Sequence, residues 1–266
     1  MPFAKARQLN TWITCPNPKP QARLCLFCFP YAGVGASIFH PWSRLLPPEI
    51  ELCSIQLPGR ESRLREAPYR QLLPLVESLS EALQPFLDKP FAFFGHSLGA
   101  LICFETARHL RRRYSLEPAH LFVSGRRPPH LSNPEPPLHT LADLDFIQQV
   151  QRRYNGIPQA ILQDRELMQL FLPILRADFQ LFESYRYTDA PPLNCPISAF
   201  GGWQDHRVTE KELSHWRDQT LKTFNLKMFP GDHFFLQSAR TFLLQALTKE
   251  LALLLNSQTT ETRTAC

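Results

Sequence analysis

Phe91-Ala92-Phe93-Phe94-Gly95-His96-Ser97-Leu98-Gly99-Ala100 runs from an apolar strand through a Gly-x-Ser-x-Gly turn into a helix. A strand-to-helix bend this sharp leaves no room for a Cβ beside the serine, so the turn demands glycine on both flanks. Such a turn exposes the Ser97 hydroxyl at the carboxyl edge of a sheet. The helix it opens, through Leu98, Leu101, Ile102, Phe104 and His109, aims its first amides at the same point, where they can stabilise an oxyanion. Ser97 is therefore the candidate nucleophile.

Outward from this turn, apolar strands are predicted at 24–29, 51–56, 91–94, 120–124, 196–200 and 224–229. Between them lie amphipathic stretches from Leu72 to Leu87, Leu98 to Tyr114, Glu210 to Thr220 and Ala239 to Leu255, with apolar residues at helical spacing. Strand and helix in alternation predict an α/β fold, a mostly parallel central sheet covered by helices on both faces. A chain of 266 residues, 44% of them hydrophobic, suits one large domain of this kind. The tail over 257–266 is polar and Thr-rich, has little to bury, and is expected to be disordered.

About seventy residues separate the strand ending at Ser124 from the one beginning at Pro196, too many for an ordinary crossover. The interval opens with the proline-rich Arg126 to Pro137, an extended linker. Helical patterns follow at Asp143 to Tyr154, Asp164 to Leu175 and Asp178 to Tyr187, ending at Pro191-Pro192. The expected division is a core of 1–127 and 192–256 with a helical lid insertion over 128–191. Placed above Ser97, such a lid excludes water and selects substrate; the alternative is an insertion away from the site.

A net charge of +5 is too modest to argue for nucleic acid. No apolar run reaches the roughly 18 residues of a membrane span, and Met1 to Arg7 lacks the apolar core of a signal peptide. No membrane partner is expected; the reading is a cytoplasmic monomer. Cys15, Cys25, Cys28, Cys53, Cys103, Cys195 and Cys266 are expected to be reduced and mostly buried. Cys25 and Cys28 have no second pair to complete a zinc site, so no metal is expected.

A serine nucleophile needs a base and an acid, and in hydrolases with this turn they follow in the order Ser, Asp or Glu, His. Among the late histidines His215 falls mid-helix and His206 adjoins the best acid candidate. His233 remains, in the turn Gly231-Asp232-His233-Phe234-Phe235 after the last strand. Asp205, closing Gly201-Gly202-Trp203-Gln204-Asp205, is the first choice of acid, while Asp232 is better suited to fixing the turn. Val123 to Arg127, after the preceding strand, offers no carboxylate. The oxyanion hole takes the amide of Leu98 and a second from Phe29-Pro30-Tyr31-Ala32-Gly33-Val34-Gly35, with Ala32 or Tyr31 the donor. Tyr31 and unspecified lid residues are expected to contact substrate.

These segments, together with Gln56-Leu57-Pro58-Gly59-Arg60-Glu61-Ser62-Arg63, resemble the stand-alone type II thioesterases of the α/β-hydrolase superfamily, over nearly the whole chain. The chain departs from that family at Gly33-Val34-Gly35, where adjacent glycines are usual, and at His206, where proline is common. The resemblance implies Ser97, His233 and Asp205 as nucleophile, base and acid. It also implies hydrolysis of acyl thioesters on the phosphopantetheine arm of acyl or peptidyl carrier proteins of polyketide, nonribosomal-peptide or fatty-acid synthases. No cofactor is expected, since the phosphopantetheine belongs to the substrate. Such carriers are acidic, and Arg111-Arg112-Arg113, Arg126-Arg127 and Arg152-Arg153 are candidates for a complementary surface. The triad alone fits a carboxylesterase or an acyltransferase equally well, and the fold also serves non-catalytic binding proteins.

Overall fold

The computed structural model describes residues 10–132 and 135–264, without the side chains of 257–264. The expectations for Met1 to Arg7 and Cys266, and the linker residues Asn133 and Pro134, lie outside the described residues.

Seven strands form one sheet in the order β1-β3-β2-β4-β5-β6-β7. They are β1 (Ile13–Thr14), β2 (Leu24–Phe29), β3 (Ile50–Ile55), β4 (Phe91–His96), β5 (His120–Ser124), β6 (Ile197–Gly202) and β7 (Phe224–Phe229). All neighbours pair in parallel except β1, which runs antiparallel to β3. Every residue of β2 through β6 is buried, as expected for parallel strands covered on both faces. Alternate side chains divide between two cores. Cys25, Phe27 and Phe93 pack against helices Leu72–Leu83 and Leu98–Tyr114; Leu24, Leu26, Cys28 and Phe94 pack against the 3-10 segment Ala36–Arg44 and helix Arg240–Thr264. The same alternation sends Cys25 and Cys28 to opposite faces, where they cannot converge on one ion.

The structure corrects several expectations. The two-residue β1 carries no apolar run and escaped the reading, and its pairing with β3 brings Cys15 opposite Cys53. These two cysteines are not reduced: they are joined by a disulfide, with Cα atoms 4.4 Å apart. The predicted 72–87 helix becomes 3-10 at Gln84–Phe86, where Pro85 removes a backbone donor. The 210–220 helix is Glu210–Ser214 followed by a 3-10 turn, His215–Gln219. The last helix spans Arg240–Thr264 and so runs into the polar stretch that begins at residue 257. Anchored by Leu243, Leu247 and Leu251, that helix extends without a new nucleation cost.

The 128–191 segment contributes helices Asp143–Tyr154, Gln159–Gln163 and Arg165–Glu183, which share their own apolar cluster around Phe146, Val150, Leu175 and Phe179. Asp164 caps the third, accepting from the amides of Glu166 (2.9 Å) and Leu167 (3.0 Å). Two helices were expected from 164 to 187, with Asp178 opening the second. A continuous one forms because Asp178 is buried in an ion pair instead of capping.

Candidate active site

The elbow sits where β4 meets helix Leu98–Tyr114. Ser97 adopts φ 53° and ψ −112°, a conformation that L-residues rarely occupy and that projects the hydroxyl out of the turn. Both flanking glycines are obligatory. A Cβ on Gly95 would lie 2.3 Å from the Gly99 carbonyl oxygen, and one on Gly99 would lie 2.1 Å from that of Phe29. The second contact presses the end of β2, and with it the loop from Pro30 to Gly35, against the elbow. Leu98, first residue of the helix, has no intrahelical acceptor for its amide.

The turns after β6 and β7 bring up the other two side chains. Gly202 lies so close to the turn after β7 that a Cβ there would meet Asp232 O at 2.4 Å. Backbone and side-chain bonds join the two turns: the Gln204 amide donates to Gly231 O (2.9 Å) and the Gly231 amide to Gln204 Oε1 (2.6 Å). Asp232 fixes its turn by accepting from the Phe234 amide at 2.8 Å. His233 Nδ1 then lies 2.8 Å from Asp205 Oδ2, and Nε2 lies 3.1 Å from Ser97 Oγ. Asp205 and His233 are buried. Burial works against ionisation of Asp205, but the hydrogen bond and charge of His233 and the Arg207 amide outweigh it and hold its pKa below the ordinary carboxylate value. The structure thus brings the three sequence-expected residues into one hydrogen-bonded line.

Tyr31, the expected substrate contact, is a buried side chain that is not among the residues lining the cavity over Ser97. Its ring is buried against His96 and Phe234, and its hydroxyl accepts from Gln237 at 2.7 Å. It fixes the loop, and the cavity is lined by others. That cavity, about 440 Å³, opens over Ser97 and His233 and is walled by lid residues including Tyr154, Phe182 and Tyr185. Arg126 and Arg127 also line it, so they are not the exposed docking surface the sequence suggested. Arg127 is spent on Glu212 (3.2 Å) and the Arg207 carbonyl (3.1 Å).

Sequence reasoning missed two groups around the triad. Asp178, fully buried on the long lid helix, accepts both Arg60 guanidinium nitrogens (2.6 and 2.8 Å) and the Gly33 amide (2.7 Å). The lid is thereby tied to the loop that carries Ala32. Gly33 has φ +81° and no room for a side chain beneath Phe171. The signal was present: an aspartate among Ile174, Leu175, Ala177 and Leu181 occupies the apolar face of its helix. His96 is the other. It is completely buried, its ring 5.2 Å from that of His233 and its Nδ1 2.9 Å from Ser124 Oγ. Burial, reinforced by His233, pushes its pKa down to about 3, so no second positive charge builds up beneath the base.

The chain is 48% identical over 248 residues to the gramicidin S biosynthesis protein GrsT of Aneurinibacillus migulanus, covering 93% of this chain and 96% of that one. It is 34% identical to the human medium-chain S-acyl fatty acid synthase thioesterase, over 84% and 85% of the two chains. Among solved structures, RedJ, a thioesterase of the prodiginine pathway of Streptomyces coelicolor, aligns with TM-score 0.82 at 41% identity, over 88% and 92%. The type II thioesterase BorB of the borrelidin cluster aligns with TM-score 0.82 at 34%, over 90% and 97%. With the thioesterase domain model matching residues 25–251, this α/β-hydrolase fold belongs to the thioesterase domain family and the chain is a thioester hydrolase.

Proposed function

We propose that the protein, acting as a monomer, hydrolyses acyl thioesters on the phosphopantetheine arm of acyl or peptidyl carrier proteins, editing or releasing chains of a polyketide, nonribosomal-peptide or fatty-acid synthase. The observation that carries the catalytic half is the line Ser97, His233, Asp205 beneath a lid. The carrier half is supported by relatives named for gramicidin S biosynthesis and the borrelidin cluster.

Ser97 Oγ adds to the thioester carbonyl as His233 Nε2 takes its proton, and the amides of Leu98 and Ala32 hold the oxyanion. The C–S bond breaks and the sulfur leaves with the proton from His233. Water then attacks the acyl ester, giving its proton to His233, which returns one to Ser97 as the acid departs. Asp205 holds Nδ1–H throughout and offsets the imidazolium charge. The proton that leaves with the thiol comes from Ser97 and the one returned to Ser97 comes from water, both by way of His233, and in this reading phosphopantetheine enters with the substrate.

The test compares hydrolysis of an acyl-carrier protein, acyl-CoA and p-nitrophenyl esters, with Ser97→Ala as control. Preference for the carrier thioester, abolished in Ser97→Ala, is expected; a strong preference for oxygen esters overturns the reading.

A further inference from the structure

Five arginines gather at the cavity and its lid wall, and four have partners. Arg207 pairs with Glu135 (2.6 Å), as does Arg153 (3.0 Å); Arg127 pairs with Glu212 (3.2 Å), and Arg186 donates to the carbonyls of Glu183 (3.1 Å) and Tyr185 (3.0 Å). Arg126 differs. Among the described residues its guanidinium makes no hydrogen bond and no ion pair, and its Nε is buried without a partner. It lies in the same cavity as Ser97 and His233, 4.8 Å above the ring of Phe182 on the lid helix.

Its backbone is held in place. The Arg126 carbonyl accepts from Trp216 Nε1 at 2.7 Å, directly after the turn at Gly125. Glu183, an acid whose charge acts on it, has both oxygens engaged: Oε1 by the Leu138 amide (2.8 Å), Oε2 by the His139 amide (2.9 Å) and ring (2.6 Å). Burial lowers the Arg126 pKa to about 10, which still leaves a full charge at neutral pH. A half-buried cation whose Nε is buried without a partner is costly unless a ligand supplies the missing oxygen, and guanidinium matches carboxylate and phosphate in its planar fork.

We propose that Arg126 anchors an oxyanion-binding subsite inside the catalytic cavity, recognising a carboxylate on the acyl group or the phosphate of the thioester's carrier arm. The proposal rests on the thioester reading of the same cavity. Cation–π contact with Phe182 carries the free guanidinium, and the arriving oxyanion completes its hydrogen bonds.

Four thioesters separate the two sources: malonyl and butyryl groups, each on CoA and on N-acetylcysteamine, which lacks the phosphate. If the acyl carboxylate is bound, Arg126→Gln lowers kcat/KM about tenfold or more for both malonyl compounds and leaves both butyryl compounds within about twofold. If the phosphate is bound, both CoA compounds fall by that amount and both N-acetylcysteamine compounds do not. Arg126→Lys, keeping the charge without the fork, restores part of the loss. Equal loss on all four, or no loss on any, overturns the proposal. Calorimetric titration of the four into Ser97→Ala, with and without Arg126→Gln, reads the same preference without turnover. A failure of hydrolysis is thereby distinguished from a failure of the anion site.

Discussion

Removing the charge of Asp178 while keeping its shape isolates what the tie between lid and oxyanion loop contributes. In Asp178→Asn the Arg60 guanidinium stays buried without its counterion, and the Gly33 amide loses a charged acceptor. Breaking such a pair costs about 3–5 kcal/mol, measurable by urea denaturation. The loop carrying Ala32 loses its tether, so kcat is expected to fall about tenfold while KM stays within about twofold, because the oxyanion exists only in the transition state. A KM increase at constant kcat would assign Asp178 to substrate binding instead. His96 makes a second prediction at this scale, on acid stability. Its pKa falls from 6.5 to about 3 on folding, so the unfolded chain binds this proton first. Above pH 6.5 the group is neutral in both states and contributes nothing to the pH dependence. As pH falls from 6.5 toward 3, stability drops by up to about 1.4 kcal/mol per unit. Folded His96→Phe protein is expected to lose this part of the acid slope in denaturation curves taken from pH 7 to 4; an unchanged slope would rule out a buried neutral His96.

Within the elements, glycine packing is what lets strand, turn and helix meet at the nucleophile. A methyl group at position 99 would strike the Phe29 carbonyl at 2.1 Å, a backbone atom in the sheet that has no rotamer to escape into. Gly99→Ala is expected to lower the thermal midpoint and to abolish fluorophosphonate labelling of Ser97, whereas Ala100→Gly, one residue on, leaves the labelling intact. This elbow was legible in sequence because its steric demand falls on two residue types at fixed spacing, and the same holds for the turns that deliver Asp205 and His233. β2 through β7 were legible as apolar runs. β1 was not, since two residues carry no period and owe their pairing to β3. The long lid helix was misread at one residue: an aspartate after Leu175-Arg176-Ala177 looks like a cap until a buried Arg60 from a distant loop is known to meet it. Local pattern holds no record of such a partner, and for the same reason Arg126 read as a surface charge.

The arginines expected to form one carrier-docking face are dispersed by the fold. Arg111, Arg112 and Arg113 close the helix that Ser97 opens, and at 1.5 Å per residue Arg112 stands about 21 Å along it from Leu98. Arg111 is further occupied by the carbonyls of Pro191 and Pro192, each at 2.6 Å. Because the helix runs back from the carboxyl edge of the sheet, these charges lie toward the opposite edge from the cavity. Arg152 is different: exposed near the end of the lid helix Asp143–Tyr154, it stands two residues from Tyr154, whose ring lies 5.5 Å from that of His233. An acidic carrier delivering its arm to Ser97 must approach from the lid side. Reversing charge with Arg112→Glu and Arg113→Glu together is therefore expected to leave kcat/KM for an acyl-carrier substrate within about twofold. Arg152→Glu should lower it about fivefold at low ionic strength, with the loss fading as salt screens the attraction. Acyl-CoA serves as the control, since a protein–protein contact has no counterpart there. A loss at Arg112 and Arg113 equal to that at Arg152 would move the docking face away from the lid.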